Sequence, residues 1–139
     1  MDYNFSCKCI CLRKASNNLT NIYDSALIKV GLKITQFSTL KNIQKLGKTN
    51  IRDLSSELEL DRTTVLRNIE KLIEMDLVSY KYENDDKNKI VQLTTVGKSK
   101  LRDAIIIWEE TQHKYIKALG IKNYKKIDIL ITKISKINI

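Results

Sequence analysis

The polar residues best placed to do chemistry cluster in one short stretch. Arg62, Thr63, Thr64, Arg67, Asn68 and Lys71 interleave with Val65, Ile69 and Leu72 at helical spacing. A helix written this way buries one stripe and turns the polar set outward. Arginine can grip guanine with two hydrogen bonds and asparagine can do the same for adenine. Threonine suits a phosphate or a thymine methyl. The types therefore fit recognition of a double helix.

A second cluster is Cys7, Cys9 and Cys11, three thiols within five residues. The spacing is C-x-C-x-C, not the C-x-x-C of common zinc sites. Lys8, Arg13 and Lys14 stand beside them, and neighbouring cations favour the reactive thiolate. The cluster is a candidate oxidant-sensing or soft-metal site. The alternative is that Cys11 fills a core position and the other two lie in a disordered tail. Tyr23, Trp108 and Tyr115 form a candidate pocket for a small aromatic effector, with plain core packing as the alternative. His113, the one histidine, reads as a surface or interface residue. No H-E-x-x-H, G-x-S-x-G, phosphate-binding glycine loop or dinucleotide fingerprint is present, so the reading is of a non-enzyme that requires no cofactor.

These residues need positioning elements, and period and punctuation supply them. Leu12, Ala15, Leu19, Ile22 and Ala26 predict a helix over about 10–29, with Gly31 beyond it. Phe37, Leu40 and Ile43 mark a second helix, stopped at Leu46-Gly47. A short third helix starts at Asn50, where Asn50 and Asp53 have capping-box spacing, and buries Ile51, Leu54 and Leu58. Asp61 caps the fourth, polar-faced helix. Short helix, tight turn and polar-faced helix describe a helix-turn-helix.

The period then falls to two. Val78, Tyr80 and Tyr82 alternate with Ser79 and Lys81, and Val91 and Leu93 return after the charged tip 83–89. This is a β-hairpin, placing Lys87 and Lys89 where cations can reach phosphates or the minor groove. Asp85 or Asp86 would repel DNA and is expected to brace the hairpin through a nearby cation. Thr94 caps a long fifth helix bearing Leu101, Ala104, Ile105, Trp108, Tyr115 and Leu119. Gly120 interrupts it, and Tyr124, Ile127, Ile131, Ile134 and Ile137 mark a last helix too apolar for an unpartnered terminus.

Composition agrees. The 139 residues suit one domain with helical extensions, and the absence of proline with only four glycines disfavours a loop-rich β fold. Against 16 acidic residues stand 25 basic ones, a net +9 that attracts polyanions. Neither a secretory signal nor an apolar run of membrane-spanning length is evident, so the expectation is a cytoplasmic protein with reduced thiols and no membrane partner.

Over most of the chain from about residue 10, the sequence resembles the MarR-type (multiple antibiotic resistance) regulators. The resemblance is carried by LSSELELDRTTVLRNIEKLIEMDLVSYKYENDDKNKIVQLTTVGKSKL, residues 54–101, and by the approach from Tyr23 to Leu40. It implies a mainly α fold with one small β-hairpin. A winged helix-turn-helix over 33–95 would be flanked by dimerisation helices at 10–29 and 100–138, all one domain over 1–139. It further implies a homodimer on a pseudo-palindromic operator in double-stranded DNA. Family members usually repress, and often release DNA when a small aromatic ligand, a metal or an oxidant acts. By motif position Arg67 matches the recognition-helix arginine and Asp85 the wing aspartate. Lys87 stands where the family has arginine, losing the planar fork. Asp76 replaces a usual glycine, in a turn that Asp tolerates better than most residues. The rival expectation is a winged-helix protein–protein adaptor, since fold alone does not prove DNA binding.

Overall fold

A computed structural model describes residues 6–82 and 89–139. Helix α1 spans Lys8–Leu27, with one 3-10 turn at Ile28–Val30. It is followed by α2 at Ile34–Leu46, α3 at Ile51–Leu58 and α4 at Arg62–Glu74. Strands β1 (Val78–Tyr82) and β2 (Lys89–Leu93) come next, then α5 (Thr95–Leu119) and α6 (Ile121–Ser135). The mainly α winged-helix architecture with one hairpin is as the sequence predicts.

Local chemistry explains most boundaries. Gly31 stops the 3-10 turn in the left-handed region at φ 70°, where a β-carbon is costly. At the start of α2, Lys33 has no side chain that can cap. Its place is taken by Asp24 of α1, whose Oδ1 accepts from Ile34 N at 2.7 Å, and by Gln36, whose Oε1 accepts from Lys33 N at 2.9 Å. The cap thereby pins α2 to α1. Asn50 and Asp61 cap α3 and α4 as their spacing implies, each accepting a 2.8 Å bond from the backbone three residues on.

Between α3 and α4 the chain turns on Glu59, at φ 53°. After α4 it turns on Asp76, at φ 60°. Leu77 N there reaches back to Leu72 O at 2.9 Å, and Asp76 N to Ile73 O. This Schellman-type closure normally uses glycine. The expectation that Asp76 supports a left-handed turn holds.

The strands pair antiparallel in the register Val78↔Leu93 to Tyr82↔Lys89. Thr49 adds an isolated bridge to Val91, so the sheet edge is tied to the α2–α3 connection. Leu40, Ile43, Leu54, Val65, Ile69, Leu72, Leu77 and Val91 fill one core, continued by Leu27 and Leu101 where α1 and α5 join it. Nothing of α6 is buried.

The base of the hairpin is locked to α5. Thr94 N donates to Leu77 O at 3.1 Å. Thr94 Oγ1 donates to Asp76 O at 2.6 Å and accepts from Gly97 N at 2.9 Å. Gly97 lies so close to Leu77 that a β-carbon on it would fall 2.0 Å from the carbonyl oxygen.

Candidate nucleic-acid interface

Helix α4 packs through Val65, Ile69 and Leu72, all fully buried. That burial sets its rotation. Thr63, Arg67 and Lys71 then form one row at four-residue spacing, and Arg62 lies on the adjoining row. All four are exposed. Among the described residues none of Arg62, Arg67 and Lys71 makes an ion pair.

Thr64 and Asn68 flank these rows and are half-buried. Thr64 has a local partner: its hydroxyl donates to Asp61 Oδ2 at 2.8 Å while its N–H donates to Oδ1. The proton that a phosphate would accept is thus already committed to the cap. The pair of Thr64 hydrogen bonds, backbone first, holds the Asp61 carboxyl below the usual carboxylate range, with Arg67 adding a smaller pull.

Leu66 was not singled out from sequence, yet it belongs to the same surface. It is 41% exposed and sits one turn after Arg62 and one residue before Arg67. Its signal was legible: an apolar residue off the buried stripe of a polar-faced helix. Glu70 also emerges on α4, and burial followed by the Glu70 charge pushes the Tyr80 phenol above its ordinary pKa, disfavouring the phenolate.

Lys89 opens β2, with its ammonium over the Tyr80 ring, 4.8 Å from the centroid. It is exposed, with its ammonium over a ring of its own hairpin. Lys87 and Asp85 lie outside the described residues.

The candidate effector residues split into two groups. The Trp108 ring stacks on Phe37 at 5.8 Å, with Lys41 Nζ 4.4 Å from its centroid. Tyr23 instead donates to Gln112 Oε1, and Gln112 Nε2 donates to the Tyr124 hydroxyl at 2.9 Å. Tyr115 meets Tyr124 edge-on at 5.9 Å. Burial first, then Tyr115 and Tyr124, push the Tyr23 phenol up. Gln112 also borders a cleft of about 320 Å³ that Trp108 lines, so it is the link between the groups. Sequence reading missed it because the Tyr23–Gln112 pair spans 89 positions.

Cys7 stands at the N-cap position of α1 without a side-chain capping bond, and Cys9 and Cys11 lie in its first turns, all exposed. Cys11 is therefore not core filler. Successive helical residues turn about 100°, so Cys7 and Cys11 share a face while Cys9 points away. Among the described residues no group of three His, Cys, Asp or Glu is arranged to hold a metal. A helix cannot converge a C-x-C-x-C triplet on one ion.

Helices α1, α5 and α6 each carry exposed apolar side chains. Ile10, Leu12, Ile22, Ile106, Ile129, Leu130, Ile131 and Ile134 are each 41–59% exposed. No helix among the described residues is long and apolar enough to cross a membrane.

Residues 32–97 match the family described as a winged helix DNA-binding domain. No curated protein matches the sequence. Among solved structures the chain is similar to the M. tuberculosis transcriptional regulator MosR in complex with DNA. Identity is 29%, coverage is 95% of this chain and 100% of that one, and the TM-score is 0.77. It is similar in fold to BpsR of Bordetella bronchiseptica, whose DNA binding is regulated by 6-hydroxynicotinic acid (20% identity, 99% of each chain, TM-score 0.84). It is likewise similar in fold to a MarR variant from E. coli complexed with operator DNA (17% identity, 89% and 90% coverage, TM-score 0.82).

Proposed function

We propose that this chain, a winged-helix protein with the MarR-type fold, is a homodimeric, sequence-specific DNA-binding regulator of transcription. In this reading it is a cytoplasmic repressor, released by a small-molecule, oxidant or metal signal. The observation that carries DNA recognition is the state of α4. Arg62, Arg67 and Lys71 stand on its exposed face without an ion-pair partner among the described residues, around a partly exposed Leu66. Exposed cations that make no ion pair among the described residues, on a rigid, capped helix, suit a major groove lined by phosphates and base edges. The net charge of +9 strengthens the same attraction.

Roles divide along the helix. Arg67 and Arg62 read bases, Leu66 meets a thymine methyl, and Thr63 and Lys71 hold phosphates. Asn68 is a reader at the edge of the contact. Thr64 serves the cap and orients α4. In the hairpin, Lys89 and Lys87 act as point charges on the backbone or minor groove, with Asp85 bracing the wing. Dimerisation through α1, α5 and α6 covers their exposed apolar side chains and sets two α4 helices on a pseudo-palindrome. Among signals, the exposed Cys7 and Cys11, one turn apart, favour an oxidant over a metal held within one chain.

Selection of bound fragments from genomic DNA, followed by affinity measurement across salt, tests the reading. A two-fold motif and a steep fall of affinity with salt support it. Failure to bind any DNA above background rejects it and favours an adaptor.

A further inference from the structure

One cavity in the described structure lies away from α4. It measures about 420 Å³ and opens between the end of α2, strand β2 and the first turns of α5. Lys98 and Arg102 line it over an apolar floor of Ile43 and Leu93, with Gln92 at the side. Lys98 and Arg102 are one helical turn apart and so share a face of α5. Among the described residues no carboxylate lines the cavity.

We infer that this cleft binds a small, multiply charged organic anion, such as an organic phosphate or a polycarboxylate. Guanidinium and ammonium groups converging on one concavity make strong, charge-assisted hydrogen bonds to such an anion. The apolar floor takes its carbon body, the usual division of labour in a small-molecule site. A DNA backbone fits less well. The cleft is concave, no residue of α4 lines it, and β1 lies between α4 and the β2 side of the sheet, because β2 pairs with Thr49 on its other edge.

The position has a consequence that rests on the DNA-binding reading. One bound anion would touch both the wing strand β2 and helix α5, the connection from wing to dimer surface. It would also neutralise cations that contribute to the field drawing in DNA. Occupancy therefore lowers DNA affinity.

Calorimetric titration of the full chain with AMP and, separately, citrate, without DNA and at low salt, tests the site. Saturable binding of at least one probe is expected. Lys98→Gln with Arg102→Gln should weaken it at least about tenfold, while the charge-matched pair Arg62→Gln and Arg67→Gln leaves it unchanged. Preference between AMP and citrate separates the phosphate from the carboxylate source. Binding of neither probe, or equal weakening by both pairs, overturns the inference. The second arm measures affinity for selected DNA with and without saturating probe. A fall of at least about threefold in wild type, absent in the Lys98/Arg102 variant, is expected. Unchanged DNA affinity rejects the coupling and leaves DNA recognition intact. Anion binding in a chain that binds no DNA rejects only the DNA-binding reading.

Discussion

Gly97 rests against the Leu77 carbonyl so tightly that any β-carbon would lie 2.0 Å from its oxygen. The obstacle is backbone, which cannot rotate away as a side chain can. The Leu77 oxygen is also held by Thr94 N, so movement there disturbs the hairpin base. Gly97→Ala should cost about 1–3 kcal/mol or more of folding stability. Gly31→Ala, strained by its positive φ but with open space around it, should cost about 1 kcal/mol. Chemical denaturation of the two variants decides the order. Equal stability of Gly97→Ala and wild type would show the contact to be looser than described.

On α4 the exposed face should divide by role. Arg67→Ala is expected to cost about 1–3 kcal/mol on the selected site and to relax preference at one base pair. Leu66→Ala should cost about 1 kcal/mol, confined to sites with a thymine at that position. Lys71→Ala should weaken all sequences alike and reduce the salt slope by about one per half-site. Affinities on selected and scrambled duplexes across salt measure all three together. A uniform loss in Arg67→Ala would make it a phosphate contact.

Asp61 gives α4 a pH-dependent cap. Its carboxyl ionises more readily in the folded chain than its ordinary value of 3.8. A depressed carboxylate contributes stability above the unfolded value and loses it as pH falls through the lower, folded one. Stability of the wild type should thus drop below about pH 4 more steeply than that of Asp61→Asn, which keeps a capping oxygen without the charge. Melting temperatures at several pH values compare them. Parallel profiles would remove the carboxylate from the account.

The unburied helix α6 permits a clean dissociation test. Ile131 and Ile134 are 55% and 46% exposed and touch no core of their own chain. Ile131→Glu with Ile134→Glu should yield a folded monomer by sedimentation, with helicity retained and DNA affinity strongly reduced. A stable dimer carrying both charges would place the interface elsewhere.

Peroxide response probes the thiols. DNA affinity should change on oxidation, and the change should survive in Cys9→Ser but vanish with Cys7→Ser and Cys11→Ser together, since only that pair shares a helix face. An identical response in all variants would discard the cysteines as sensors.

Most of the fold was legible because its signals are local. Asn50 and Asp61 bond to backbone three positions away, and the alternation of Val78, Tyr80 and Tyr82 reflects the strand itself. The helix at 10–29 was offset. It starts at Lys8 and yields to a 3-10 turn after Leu27, a change in winding that leaves the apolar period nearly intact. Which neighbours Tyr23 and Trp108 would take was not legible: Phe37 stacks on Trp108 while Gln112 accepts from Tyr23. Such choices depend on how helices cross, which residue type does not encode. Thr64 shows the reverse case: its place three residues after Asp61 was a readable sign of capping, overlooked in favour of its chemistry.

The clamp joining Asp76, Leu77, Thr94 and Gly97 makes α5 a stiff lever. Its 25 residues give a rod of about 37 Å, anchored at one end to the wing base and continuing at the other into α6. A tilt of about 5° at the far end displaces the wing end by about 3 Å on that length. One base-pair step along DNA is about 3.4 Å. A rotation of that size would therefore shift the wing base by nearly one such step. If the chain binds DNA as proposed, a tilt of α5 would move the wing out of register while each helix stays intact.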